Sequence, residues 1–381
     1  MGGNGAARSF FIREELFFMA KKKRSGAGKR AESLAALKIV SKGIKEMITV
    51  NHMEEERIVP TMFTSFNRAI GIGGLPLRRM MAIHGKNQTG KSVLATGLGE
   101  SCRRYGHVPV IYEAEWSAES RWMNRLVTGE GTLFKMPEDL DELFGDMQTN
   151  LKNLRNGKEK GLIKDDVGIA FVIDTLTKLI PKEMLDKLIT EGVKKTFPMQ
   201  AQWISLWTKF IVPQTYRSNS SLIIVLQERI NLDAGTFGKK RKVTLGEALL
   251  YDVSHRIECT HSKPIVENGK VVGSEFFYKV DKNKTDGWTG QKGSFFTSTG
   301  EGDTPPGFDH AREAIREALT RKILKKAKRK KFDYMVATID DEEHFAVPGG
   351  EEDVRVWLNT ERGELKRFVN ALNEQSRRLD A

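Results

Sequence analysis

The sequence predicts an α/β protein built on a mainly parallel central sheet flanked by helices, and three observations carry that reading. Short apolar runs recur at 80–83 (MMAI), 108–112 (VPVIY), 169–173 (IAFVI) and 222–226 (LIIVL). Runs of this length without strict alternation suit strands buried on both faces. Helical patterns separate them, which is the βαβ arrangement. The first run is followed by GKNQTGKS at 85–92 and then by a helical stretch from Val93. That order of strand, glycine loop and helix is the setting in which the pattern G-x-x-x-x-G-K-[ST] has mechanical meaning.

Residues 1–56 read as a separate N-terminal segment for polymerisation or DNA contact. It carries the basic run KKKRSGAGKR at 21–30, then a helix in which Leu34, Leu37, Val40 and Ile44 recur at helical spacing. The core is expected over 57–302. IGIGGLPLRR at 70–79 is a glycine-proline turn delivering the chain into its first buried strand. After the fourth apolar run the pattern changes to alternation and turns, with ENGK at 267–270 as a hairpin signal, so an antiparallel extension of the sheet is expected. The breaker EGDTPPG at 301–307 introduces a small basic α+β domain at 303–381, with a helix at 310–319, the run RKILKKAKRKK at 321–331 and a helix near 364–372.

The composition bounds the function. With 39% hydrophobic and 29% charged residues, the 381-residue chain is globular. No apolar run approaches the ~20 residues that span a bilayer, and the N-terminal FFIREELFFMA is broken by Arg13, Glu14 and Glu15. An intracellular protein with no membrane partner is therefore expected. Two distant cysteines, Cys102 and Cys259, give neither a disulfide framework nor zinc spacing. A net charge of +12 points to a polyanionic partner.

The loop residues Gly85, Lys86, Asn87, Gln88, Thr89, Gly90, Lys91 and Ser92 form a phosphate cradle. In such a loop the backbone N–H groups wrap phosphate oxygens, Lys91 reaches the terminal phosphates and Ser92 a magnesium ion. Phosphate hydrolysis also needs a carboxylate opposite the loop for the metal, a group that activates water and a group that senses the terminal phosphate. Asp174, closing IAFVI, fits the metal role with Ser92. Glu113 and Glu115 compete for the base, since strand alternation points both to one side. Gln227, closing LIIVL, is the sensor candidate. Beyond it lies DAGTFGKKRKVTLG at 233–246, where Phe237 could stack or wedge and Lys239, Lys240, Arg241 and Lys242 stand in a row, a composition suited to nucleic acid. Lys194, Lys195 and Met199 form a second candidate beyond another strand end, and Arg229 joins them from LQERIN.

In its order of parts the chain resembles the RecA-type strand-exchange recombinases, in particular the bacterial and phage members, over about 58–302. GIGGLPLRRMMAIHGKNQTGKS is similar to their entry into the phosphate loop. YEAEWSAESRW resembles the stretch that supplies the catalytic glutamate, then an acid and an aromatic that hold adenine. The match selects Glu115 as the base, with Glu119 and Trp122 on the adenine; Glu113 stands where the family has Asp. VIDTLTKLIPK is similar to the metal strand and the entry to the first DNA loop, which places Met199 as a base-wedging methionine. LQERIN resembles the sensor motif, with Leu226 in place of an asparagine. TFGKKRKVTLGEALLYDVSHRIE resembles the second DNA loop and its following helix, with Leu245 replacing a glycine. VDKNKTDG resembles a K-x-K motif whose lysines, here Lys282 and Lys284, reach the nucleotide of a neighbouring subunit.

The resemblance implies a RecA-like P-loop ATPase core using ATP and Mg2+. It also implies head-to-tail helical filaments on single-stranded DNA, with homologous double-stranded DNA as second substrate. Mediator and single-strand-binding proteins are candidate partners, and the cytoplasm or nucleoid of a bacterial or phage-infected cell is the implied setting. Two other readings fit the same motifs: a hexameric RecA-like helicase or motor, and a non-catalytic paralogue that binds DNA with nucleotide as a structural ligand.

Overall fold

The structure, a computed structural model, describes residues 57–378 except 117–119, 128–130, 192–196, 231–240, 244–245, 302–303, 330–331, 340–341 and 361–363. All described residues belong to one compact unit, Glu56–Ala381. The predicted segment 1–56 lies outside them.

The elements run β1 (Ile58–Val59), α1 (Thr64–Ile70), β2 (Leu75–Pro76), β3 (Met80–Gly85), α2 (Lys91–Arg104), β4 (Val108–Glu113), α3 (Ser120–Leu126), β5 (Leu133–Lys135), α4 (Leu140–Glu159) and β6 (Ile169–Asp174). They continue through α5 (Lys182–Glu191), α6 (Phe197–Arg217), β7 (Ser221–Ile230), β8 (Arg241–Val243), α7 (Gly246–Asp252), β9 (His255–Glu267), β10 (Lys270–Asn283), β11 (Lys292–Ser298) and β12 (Gly307–Phe308). The last part comprises α8 (His310–Thr320), β13 (Leu324–Arg329), β14 (Phe332–Ile339), β15 (Glu342–Pro348), α9 (Glu351–Thr360) and α10 (Glu364–Arg378).

Ten strands form the main sheet, in the order β12-β11-β10-β9-β3-β7-β6-β4-β5 with β8 paired to β7. The four apolar runs are its central parallel strands, as expected for an α/β core. Alternation divides their side chains between two cores. Met81, Ile83, Ile223 and Val225 face the layer that holds α1 and α2, whereas Met80, Ala82, Leu222, Ile224 and Leu226 face the layer of α4, α6 and α7. Helix α4 shows why these sequences form helices. Its buried Leu140, Leu143, Phe144, Met147, Leu151 and Leu154 fall on one face, the Asp139 carboxylate caps Glu142 N–H at 2.7 Å, and Asp141 and Glu142 favour the positive end of the helix.

The hairpin signal is realised between β9 and β10. Asn268 and Gly269 take φ of 49° and 78°, the two left-handed positions of a tight hairpin turn. From β9 to β12 the pairing is antiparallel, while β9 joins β3 in parallel. The basic run at 321–331 enters β13, which pairs with β14 in a separate three-stranded sheet with β15. This C-terminal part has its own apolar cluster, including Ile315, Val354, Leu358, Phe368 and Leu372. Polar bonds stitch it to α1: Ser65 N–H donates to Glu313 Oε1 at 3.1 Å, Asn67 Nδ2 to Asn373 Oδ1 at 2.8 Å and Arg68 Nε to Glu317 Oε1 at 2.5 Å.

Phe171, fully buried in β6 and stacked against Tyr112, is a sensitive probe of the sheet. Phe171→Ala should destabilise the chain by about 3–5 kcal/mol through lost burial and a residual cavity. Urea unfolding reads this directly, and a loss below about 1 kcal/mol would show that the centre of the sheet repacks freely.

Candidate nucleotide site

The loop after β3 folds as a cradle. Gly85, Gln88 and Gly90 have φ of 149°, 61° and 86°. A Cβ on Gly85 would lie 2.2 Å from the Cys259 carbonyl oxygen, and one on Gly90 would lie 2.4 Å from the Phe276 ring. Both glycines are therefore required by close approach as well as by backbone angle. Helix α2 has Gly90 as its N-cap, with no side-chain cap and no acid in its first turn, so its N-terminal amides and positive dipole end are suited to an anion. Lys86, Asn87, Gln88 and Ser92 are exposed along the loop, while Thr89, Gly90 and Lys91 are buried. Lys91 Nζ donates to the Lys86 carbonyl at 2.6 Å. Burial lowers its pKa, with Asp174, Glu115 and Glu228 among the groups that act in the opposite direction.

Acidic groups face the loop from the next strands. Parallel pairing of β4 with β6 sets Glu113 opposite Asp174, and Ala114 N–H donates to the Asp174 carbonyl at 2.7 Å. Burial, with Glu115 and Glu113 adding repulsion, pushes the Asp174 carboxyl up to about 6 against the opposing Ser92 hydroxyl and Lys91 ammonium. The alternation expected to send Glu113 and Glu115 to one side does not apply, because β4 ends at Glu113 and the chain bends at Glu115. Glu113 is buried and its Oε1 accepts the Glu115 N–H at 3.1 Å, whereas the Glu115 carboxylate turns to accept Gln227 Nε2. Glu113 thus supports the bend that presents Glu115.

Gln227 reaches this place because β7 runs parallel to β3 with Gly85 and Gln227 as partners. The structure brings Lys91, Ser92, Glu115, Asp174 and Gln227 to the carboxyl edge of one sheet. Ser92 and Asp174 offer hard oxygen donors that fit a magnesium ion. Among the described residues no cluster of three or more His, Cys, Asp or Glu side chains makes an all-protein metal cage.

Other predicted residues lie elsewhere. Trp122, on α3, is partly buried against the cluster that includes α2; Glu119 lies outside the described residues. Lys282 Nζ donates to the Leu250 and Tyr251 carbonyls, each at 2.9 Å, at the C-terminal turn of α7, where a cation is favoured. Lys284 follows directly after β10, its N–H bonded to the Ser254 carbonyl. Arg229 is exposed at the far end of β7. Arg241 and Lys242 lie in β8, paired with Ile230 and Arg229. Lys194, Lys195, Phe237, Lys239 and Lys240 lie outside the described residues, as do the side chains of Met199, Arg241 and Lys242.

Sequence reasoning missed one wall of the site. A cleft beside the loop is bounded by Gln88, Ser92 and Val93 on one side and by Ser262, Ser274 and Phe276 on the other. Ser262 Oγ also donates to the Gln88 carbonyl at 3.0 Å. The signal lay in the alternation of the β9–β10 hairpin, but only the strand register reveals which face meets the loop.

Comparison with known proteins agrees with this geometry. The RecA N-terminal domain family matches residues 35–289. Protein RecA of Nitratidesulfovibrio vulgaris is 25% identical over 60% of this chain and 60% of its own length. Protein RecA of Mesoplasma florum is 26% identical over 66% of this chain and 72% of its own, and that of Helicobacter hepaticus 25% over 65% and 69%. The chain thus spans about three fifths of the first of these relatives. With a matched region covering the phosphate loop, the acidic strand ends and the β9–β10 hairpin, the chain belongs to the RecA family and has its α/β core.

Proposed function

We propose that the protein is a DNA-dependent ATPase that assembles into helical filaments on single-stranded DNA and promotes homologous pairing and strand exchange inside the cell. The observation that carries the reading is the hydrogen bond between Gln227 and Glu115. It links the residue best placed to activate water to β7, the strand that precedes the basic segment 233–246 in sequence. A signal from a polyanion on that segment therefore has a short path to the hydrolytic carboxylate.

On this reading the amides of 85–92 and Lys91 hold the phosphates and Glu115 takes the proton of the attacking water. A magnesium ion held by Ser92 and Asp174 would neutralise charge on the phosphate oxygens. Gln227 exchanges its bond to Glu115 for one to the terminal phosphate, which releases the carboxylate for water. Lys282 and Lys284 complete the site of an adjoining subunit, a heterologous contact that propagates as an open helix. Glu119 and Trp122 hold the base, while Lys194, Lys195, Met199, Arg229, Phe237 and Lys239 to Lys242 contact DNA. Residues 1–56 serve polymerisation or DNA contact, 57–302 are the ATPase core and 303–381 a basic accessory domain; mediator and single-strand-binding proteins are expected to act on the filament.

Four measurements test the reading. Glu115→Gln should lower DNA-stimulated hydrolysis by about 10²–10⁴-fold while sparing ATP-dependent filaments; hydrolysis at the normal rate would remove it as the base. Lys282→Ala with Lys284→Ala should abolish protein-concentration-dependent ATPase yet leave nucleotide binding by dispersed monomers unchanged. Closed rings in electron micrographs of the wild-type protein with DNA would favour a hexameric motor instead. Replacing Lys239 to Lys242 by alanine should flatten the salt dependence of single-strand binding by about 3 in log–log slope, from about 0.7 per lost phosphate contact. An unchanged slope would take the segment off the DNA.

A further inference from the structure

His84 lies one residue before the phosphate loop, on the same sheet face as Met80 and Ala82, and is buried. Its Nδ1 lies 2.8 Å from Glu228 Oε1, and its Nε2 faces Asp281 Oδ2 at 3.4 Å, an ion-pair separation without a formed hydrogen bond. Glu228 follows Gln227 on β7, and Asp281 precedes Lys282 on β10. Asp281 has a particular backbone position. Val280 pairs with Ile257 and Lys282 with the adjacent Arg256, so Asp281 is the extra residue of a β-bulge. Bulges beside active sites re-aim the neighbouring side chain, and here the bulge bears on the direction taken by Lys282.

We propose that His84 is a positioning residue for nucleotide hydrolysis, tying the strand end that carries Gln227 to the bulge that aims Lys282. The inference rests on the function proposed above. Two carboxylates on opposite ring nitrogens are matched only by a ring with both N–H groups, because a neutral imidazole donates from one nitrogen alone. The surroundings support that form. Burial pushes the His84 pKa down, but Asp281 and Glu228 outweigh it and the net direction is upward. Asp281 is correspondingly lowered, first by His84.

Among the described residues, the charged groups around the triad include Arg256 and Lys279, at 3.5 and 3.6 Å from Asp281, Glu258, which pairs with His84 across the β3–β9 ladder, and Lys91, which senses Glu228. A raised histidine holds its charge below its shifted pKa. The tie is therefore complete at lower pH and is lost as pH rises through that value.

The test compares wild type, His84→Gln and Asp281→Asn across pH 6–9. Expected results are an alkaline fall of kcat in wild type that both variants lose, binding of a fluorescent ATP analogue within about twofold of wild type, and a DNA-stimulated kcat reduced about tenfold or more with little change in KM. Wild-type kcat and pH profile in both variants would overturn the proposal. So would loss of analogue binding in parallel with thermal stability, the outcome of a merely structural role. If His84→Gln does not fold, Asp281→Asn decides alone, since it leaves the ring bonded to Glu228. If the wild-type chain shows no DNA-stimulated hydrolysis, the proposed function falls and nitrogen-15 NMR titration of the imidazoles judges the tie separately. A histidine titrating above the ordinary range in wild type and lower in Asp281→Asn supports it; no such histidine overturns it.

Discussion

Parallel pairing of β3 with β7 is the constraint on which the site depends. It puts Gly85 beside Gln227, and the same in-register run continues through β6 to β4, where Asp174 and Glu113 are partners. Because every strand in this block points the same way, the loop 85–92, Asp174 and Gln227 emerge at one edge without any long-range loop having to carry them. A slip of one residue would turn each side chain to the other face. The two apolar cores, one on each face, hold the register, so the hydrophobic pattern and the chemistry are fixed by a single alignment.

What could be read from the chain alone followed from local chemistry. The phosphate loop is contiguous, and Lys91 and Ser92 are tied to it by spacing; Asp174 and Gln227 each close a buried strand. The missing parts required two strands to be aligned. Phe276 against Gly90, Ser262 against Gln88 and His84 between Glu228 and Asp281 join residues far apart in sequence, and the last depends on a bulge that no residue pattern announces. Glu113 and Glu115 have the spacing of alternating strand neighbours, but the end of β4 falls between them. At 321–331 the lysines and arginines concealed a strand, since apolar alternation is the usual sign of one.

Two cations illustrate how the sheet edge is shared. Lys91 bends back to its own loop carbonyl, and Lys282 rests on the last carbonyls of α7. Both interactions are with neutral oxygens, and a phosphate would compete with either. The helix that Lys282 caps follows the basic segment after β7 in sequence, so movement of this lysine would alter the terminus of the element that succeeds that segment.

The bonds from α1 to Glu313, Glu317 and Asn373 bear on how this protein can be dissected. A chain cut after the main sheet would strand Ser65, Asn67 and Arg68, two of them buried, without their acceptors, and would uncover the apolar surface beneath α8. Orphaned buried donors carry a desolvation cost of their own. A shortened protein that loses activity would thus report damage to the core, and the work of the C-terminal part is better isolated by surface substitutions that leave the seam intact.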